Sequence, residues 1–345
     1  FFIPWRWRRR LLSLTKIFMK SILTAFVISA TAGRPICGAV AGSRRRVANA
    51  FVSSAQRQHQ PNTAQFPRFT AALAVSTPSL ASTSTNAQDP TVAIVDEIPL
   101  ALPPLKNYYY LLRHGQSTAN VAGIISSARS LAGSTKHGLT LLGMQQGRDS
   151  AASLVDMVAE DINNNNDDDT PKSTKQIYFY SSPFARAKET AEECIKGISG
   201  NPEVARKVEV LGLTVNESIF LDDGLMERFF GRLDGKELAT YAYVWPVDIF
   251  EPTHTAFDVE SVAAVSTRIR STLLDIDSQH GDGGNHIVLT SHADVLQITQ
   301  VYAAGIENVG KFSQYRFGNG EVRRMGRKVD SLPEAAPLQP PRRGE

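Results

Sequence analysis

Between residues 106 and 325 short apolar runs of strand length alternate with longer stretches of helical spacing. Tyr108–Leu112, Ile177–Tyr180 and Ile287–Leu289 are apolar without a polar face, as expected of strands buried on both sides. The pattern predicts strands near 107–113, 176–181, 207–213 and 286–291, with a weaker one near 314–325. Helices are predicted near 140–160, 183–196, 258–277 and 293–304. Val262, Val265, Ile269, Leu273 and Ile276 keep helical spacing, and Gly305 fits a C-cap. Ser182 reads as an N-cap, Pro183 as the first helical residue, and Gly197 as the close of that helix. The alternation implies an α/β fold, a three-layer α/β/α sandwich with a mostly parallel sheet covered on both faces. Tyr108–Tyr110 reads as core packing.

Charge divides the chain. Residues 1–88 hold 12 Lys/Arg and no acid, leaving 25 of the 37 basic residues to face all 34 acidic ones. The basic whole-chain balance therefore describes the leader, and a nucleic-acid partner is not expected. The first methionine is Met19, so residues 1–18 read as upstream sequence or an incomplete start. Residues 19–50 read as a signal peptide: Lys20, an apolar stretch Ile22–Ala32 too short to span a bilayer, and Ala48-Asn49-Ala50 before Phe51. No stable membrane insertion is expected. Residues 51–88, rich in Ser, Thr and Ala, have transit-peptide composition. Together they resemble a bipartite plastid leader, with secretion and mitochondrial import as alternatives. A disordered linker completes 51–105, one domain occupies 106–328, and 329–345 is expected to be a disordered tail. Asn163–Asn166 with Asp167–Asp169 reads as a solvated loop lacking the spacing and glycine of a calcium site. The two cysteines, Cys37 and Cys194, exclude a disulfide framework or a cysteine metal site, and Cys194 reads as a buried apolar residue.

Four segments carry chemistry. Arg113-His114-Gly115 ends the first apolar strand and puts a cation and a titratable nitrogen at a strand's carboxyl end, where open α/β sheets build ligand sites. Arginine can fork onto phosphate oxygens, and Gly115 permits close backbone approach. The helix after Ser182-Pro183 favours an anion at its N-terminus, with Arg186 one turn inside. Ser291-His292 ends another strand. Glu227 lies among aromatic residues that could raise its pKa enough to hold a proton.

In this order the segments resemble the histidine phosphatase superfamily, the phosphoglycerate mutase-like proteins. Arg113-His114-Gly115-Gln116-Ser117-Thr118-Ala119-Asn120 matches the Arg-His-Gly-x-(Ser/Thr)-x-x-Asn signature. Leu139–Gly147, Ser182–Ala191, Glu227–Gly231, Glu260-Ser261 and Ser291-His292 resemble further blocks, together spanning roughly 106–325. Two departures stand out. Ala293-Asp294 replaces the usual glycine after the second histidine, a feature closer to a plant and algal subgroup. The basic, proline-rich insertion of the cofactor-dependent mutases has no counterpart after Lys236.

The resemblance implies a phosphomonoesterase needing no metal or cofactor and acting on a small phosphorylated metabolite or a phosphoprotein. His114 would be the nucleophile, kept neutral by Arg113 and Arg186. Arg113, Arg186, His292, Asn120, Ser117 and the Gly115 backbone would hold the phosphoryl group. Glu227 would be the general acid and base, with Arg228 and Asp294 as substrate contacts. His137 reads as a surface residue, and His254, His280 and His286 as loop or strand-flanking residues. Specificity is expected from 232–258, including Trp245, Pro246 and His254. Alternatives are a phosphoglycerate mutase, a non-catalytic phosphate-binding protein, and a metal hydrolase using His114, His292 and Asp294.

Overall fold

The structure, a computed structural model, describes residue 95 and residues 97–164 and 175–345. The expected leader, Cys37 and the 165–174 part of the Asn/Asp-rich segment lie outside the described residues. Five strands form one sheet: β1 (Tyr108–Arg113), β2 (Gln176–Ser181), β3 (Thr214–Leu221), β4 (His286–Ser291) and β5 (Val322–Arg324), in the order β3-β2-β4-β1-β5. All neighbours are parallel except β5, which runs antiparallel along β1. The helices are α1 (Thr118–Ala122), α2 (Leu141–Asn164), α3 (Ala185–Gly200), α4 (Pro202–Val210), α5 (Trp245–Phe250), α6 (Val262–Gln279) and α7 (Ala293–Ala303).

The two-residue period of a strand sends alternate side chains to opposite faces, and the core divides accordingly. Tyr109, Leu111, Ile287 and Leu289 point to one side and pack with Val265, Ile269 and Leu273 of α6 and Leu296 of α7. Tyr110, Leu112, Phe179 and Val288 point to the other and meet Leu154 and Val158 of α2 and Cys194 and Ile198 of α3. This is the expected α/β/α sandwich. Cys194 is buried, and desolvation pushes its thiol up to about 12. Two core tyrosines also have a polar partner: Tyr109 donates to Asp277 at 3.2 Å and Tyr110 to Asp161 at 2.6 Å.

Three local expectations are corrected. Residues 207–213 were expected as a strand, but most of them belong to α4. Asn201 caps that helix by accepting from the Glu203 and Val204 N–H groups, Pro202 opens it, and Val204 and Val208 turn one face into the core. The strand follows at β3, a sheet edge whose mostly solvated residues lack a strong apolar run. The helix after β2 starts at Ala185, with Phe184 at the N-cap. Ser182 does not cap it; its hydroxyl turns toward the end of the sheet.

The expected disordered tail is instead placed against the domain. Leu332 and Leu338 pack on the α6–α7 core. The Gly344 carbonyl accepts from Gln116 Nε2 at 2.9 Å, the Glu345 carbonyl from Asn120 Nδ2 at 2.5 Å, and Arg343 Nε donates to Val121 at 2.6 Å. Among the described residues no helix is long and apolar enough to cross a membrane.

The turn after β1 passes close over the start of α2. A Cβ on Gly115 would strike the Gly143 carbonyl, and one on Gly143 would strike the Gln116 carbonyl. Both contacts are with backbone, which cannot swing aside. Gly143→Ala should therefore lower the unfolding free energy by about 1–3 kcal/mol in urea denaturation. Gly200→Ala, which meets open space at the end of α3, should stay within about 0.5 kcal/mol of wild type. Equal stability of the two variants would contradict the packing described.

Candidate active site

Because β4 lies between β1 and β2, the three strands end side by side. Arg113 is in register with Ser291, and Ser181 with Thr290. The next residues, His114, His292 and Ser182, therefore emerge together. The His114 backbone N–H donates to the Ser291 carbonyl at 3.0 Å, locking the two exits. The histidine rings stand 5.2 Å apart at 62°. Arg186, on the first turn of α3, sends Nε to within 3.3 Å of His114 Nε2 and binds Ser126 through both terminal nitrogens. Arg113 donates to the Phe317 carbonyl at 2.7 Å, while its Nε has no partner.

Hydrogen bonding assigns the His114 tautomer. Nδ1 lies 2.7 Å from the Gly115 carbonyl, which can only accept, so Nδ1 carries the proton and Nε2 the lone pair. Burial first, then Arg186 and Arg113, hold its pKa well below 6.5, against an opposing pull from the Gly115 carbonyl. The His292 pKa is also held well below 6.5, by burial and then by Arg186. His292 Nε2 is 2.9 Å from Ser182 Oγ, and its Nδ1 is unpartnered, 4.0 Å from Glu227 Oε2. Ser182 Oγ also accepts from the Phe184 N–H at 3.3 Å, which orients the hydroxyl. Glu227 Oε1 accepts from the Arg228 N–H at 2.9 Å. Burial, then Asp294, raise the Glu227 carboxyl to about 7 despite the lowering pull of Arg186 and Arg113. Arg186 itself is lowered to about 10 by burial.

The structure thus brings together His114, His292, Arg113, Arg186 and Glu227. All five are buried, with His114 3% and Glu227 7% exposed. The Gly115 N–H donates to Thr190 Oγ1 at 2.9 Å. Ser117 and Asn120 are nearby but committed elsewhere. They form a reciprocal capping box at α1, and Asn120 Nδ2 reaches the tail.

Arg228 and Asp294 are not placed to contact a substrate. Arg228 is fully buried, with its guanidinium forked onto Asp248 at 2.8 and 2.7 Å, and Asp294 is 1% exposed against Arg228 and Trp245. Trp245, expected to shape specificity, is likewise buried in the core. A charge pair this far from water needs all its partners inside the protein, leaving none for a ligand. Sequence reasoning also missed Ser126, which lies between Arg186 and His137: His137 Nδ1 is 2.7 Å from its hydroxyl. His137, expected at the surface, thus supports the arginine. Tyr241 was missed as well; its phenol is held neutral by burial and by the nearby Asp294 and Glu227. No motif signals either residue: Ser126 arrives from a loop and Tyr241 from the short 3-10 helix Leu238–Tyr243. Among the described residues no cluster of metal-binding groups forms.

Comparisons with known proteins follow the same lines. The sequence model of the histidine phosphatase superfamily, branch 1, matches residues 109–331. A Schizosaccharomyces pombe protein named as a probable phosphatase is 28% identical over 190 residues, 54% of this chain and 52% of that protein. The chain thus spans about half the length of that curated relative. The solved α-ribazole phosphatase of Shigella flexneri is 21% identical over 62% of this chain and 88% of its own, with a TM-score of 0.41. A mycobacterial glucosyl-3-phosphoglycerate phosphatase, solved with VO3, is 19% identical over 63% and 90%, with a TM-score of 0.41. Matched over well more than half its length, this chain belongs to the histidine phosphatase superfamily, branch 1.

Proposed function

We propose that the protein is a phosphomonoesterase that works through a phosphohistidine on His114 and needs no metal. The observation that carries this reading is the His114 ring itself. Its Nδ1 is tied to a carbonyl at 2.7 Å, and its Nε2 lone pair faces a guanidinium 3.3 Å away. A neutral imidazole with a defined lone pair, among fixed cations, suits attack on a phosphoryl group.

In the first half-reaction Nε2 bonds to phosphorus, the ester P–O bond breaks, and Glu227 gives its proton to the leaving oxygen. Arg113 and Arg186 offset charge on the equatorial oxygens. Ser182 accepts from the Phe184 N–H and directs its own proton to His292 Nε2, so the unpartnered Nδ1 is left to donate to a phosphoryl oxygen. In the second half-reaction the Glu227 carboxylate takes a proton from water, which attacks phosphorus. The P–N bond breaks, phosphate leaves, and both residues return to their starting states. The name of the Schizosaccharomyces pombe relative, a probable phosphatase, supports hydrolysis over mutase chemistry.

His114→Ala should reduce kcat/KM on any turned-over monoester by about a thousandfold or more, with the melting temperature little changed. A rate near wild type would overturn the assignment. Rapid quench with radiolabelled substrate should trap an enzyme-bound phosphate that is stable in base and labile in acid; the opposite lability would point to an oxygen nucleophile. The pH profile has a defined sign. The His114 pKa is lowered, so the required neutral form persists well below pH 6.5. The Glu227 pKa is raised to about 7, so the required proton is lost above that pH. On an alkyl phosphate, kcat/KM should hold through the mildly acidic range and fall about tenfold per pH unit on the basic side. A loss of activity on acidification through pH 6.5 would refute this account.

A further inference from the structure

Behind Glu227 lies a buried charge cluster that the proposed reaction does not use. The Arg228 guanidinium forks onto Asp248 through both terminal nitrogens, at 2.8 and 2.7 Å. Asp294 receives only a long contact from Arg228 Nη1, 3.5 Å, and a neutral N–H from Trp245 at 3.2 Å. Asp248 also meets His254 Nε2 at 2.8 Å. One guanidinium thus faces two carboxylates, and the nearer carboxylate takes both short bonds. Asp294 is therefore the less fully paired carboxylate, in a place water does not reach.

Its place in the chain ties it to the reaction. Arg228 directly follows Glu227, and Asp294 lies on the first turn of α7, two residues past His292. Asp294 also belongs to the Ala293-Asp294 pair by which this chain departs from the glycine usual after the second histidine. The charged and titratable groups around Glu227 are Arg113, Arg186, His292, Arg228, Tyr241 and Asp294, with Arg129 bound to its carbonyl. Arg129 is met by Glu260, which is also held by Arg268. Of these groups Asp294 is the carboxylate with the longest charge contact. A second negative charge nearby makes ionising a buried carboxyl more costly.

Resting on the reading of Glu227 as proton donor, we propose that Asp294 is a positioning residue. Anchored by Arg228 and Trp245, its carboxylate is the negative charge that keeps Glu227 loaded with a proton until the leaving oxygen develops charge. Asp294 touches no substrate. The raised Glu227 carboxyl, with Asp294 as its second cause after burial, is consistent with this role.

The test compares kcat/KM against pH for glycerol 2-phosphate and p-nitrophenyl phosphate. An alkoxide needs a proton as it leaves, and nitrophenolate hardly does. Asp294→Asn removes the charge but keeps the shape and an oxygen for the Trp245 N–H. With glycerol phosphate its basic limb should move down by about one pH unit, a loss of about tenfold above the limb. The nitrophenyl ester should lose markedly less. Trp245→Phe removes the donor that favours ionised Asp294, and it should move the limb the same way by a smaller amount. A basic limb within about 0.3 unit of wild type in Asp294→Asn, or an equal fall for both esters at every pH, overturns the proposal. Glu227→Gln separates the two readings. If that variant keeps alkyl ester turnover, Glu227 is not the donor and both fall. If it loses alkyl turnover selectively while Asp294→Asn keeps the wild-type profile, only the role of Asp294 falls. Should Asp294→Asn fail to fold by circular dichroism, the limb in Trp245→Phe decides.

Discussion

The parallel pairing of β1 with β4 is the constraint on which the site depends. Arg113 opposite Ser291 makes both strands end at one level, and the His114 N–H to Ser291 carbonyl bond holds that level. A slip of one residue would send every side chain of a strand to the other face. Leu111 would leave the α6–α7 core, Leu112 would leave the α2–α3 core, and the imidazoles would part. The register that places the histidines is therefore the one that both apolar layers enforce.

Burial sets the charge states. Desolvation is the first cause of the lowered pKa of both histidines and of the raised carboxyl of Glu227, with neighbouring charges second. Desolvation disfavours ionisation of acid and base alike. It leaves an uncharged imidazole and a protonated carboxyl in one small space, the two states a nucleophile and a proton donor require. The cost is that permanently charged groups must also be buried, and the structure meets it by pairing. Arg186 is held by Ser126, and Arg228 is clamped by Asp248. Removing Asp248 from its buried ion pair with Arg228 should cost about 3–5 kcal/mol, because the guanidinium charge is left stranded.

The strands that end on functional residues were legible because their apolar runs are unbroken and stop on polar triplets. β3 was not, since an edge strand with little burial lacks the apolar signature. Residues 207–213, expected as a strand, belong mostly to α4, although Asn201-Pro202 is a start signal that points to the helix. Ser182 fits a cap by type and position, yet its hydroxyl serves His292 as well as the turn. Arg228 and Asp294 read as ligand contacts because arginine and aspartate are rarely buried. Only their mutual packing with Asp248 and Trp245 shows otherwise.

From its residues alone the chain determined the sandwich architecture and pointed to five groups that the structure brings together. Both follow from local facts: apolar periodicity, and polar residues at the ends of apolar runs. Tertiary structure decided what those residues do together. The tautomer of His114 depends on a carbonyl beside it, the support of Arg186 on a loop serine, and the raised carboxyl of Glu227 on burial and then on a carboxylate 67 positions along the chain. Burial and long-range contact create these states, and neither is a property of any single stretch of sequence.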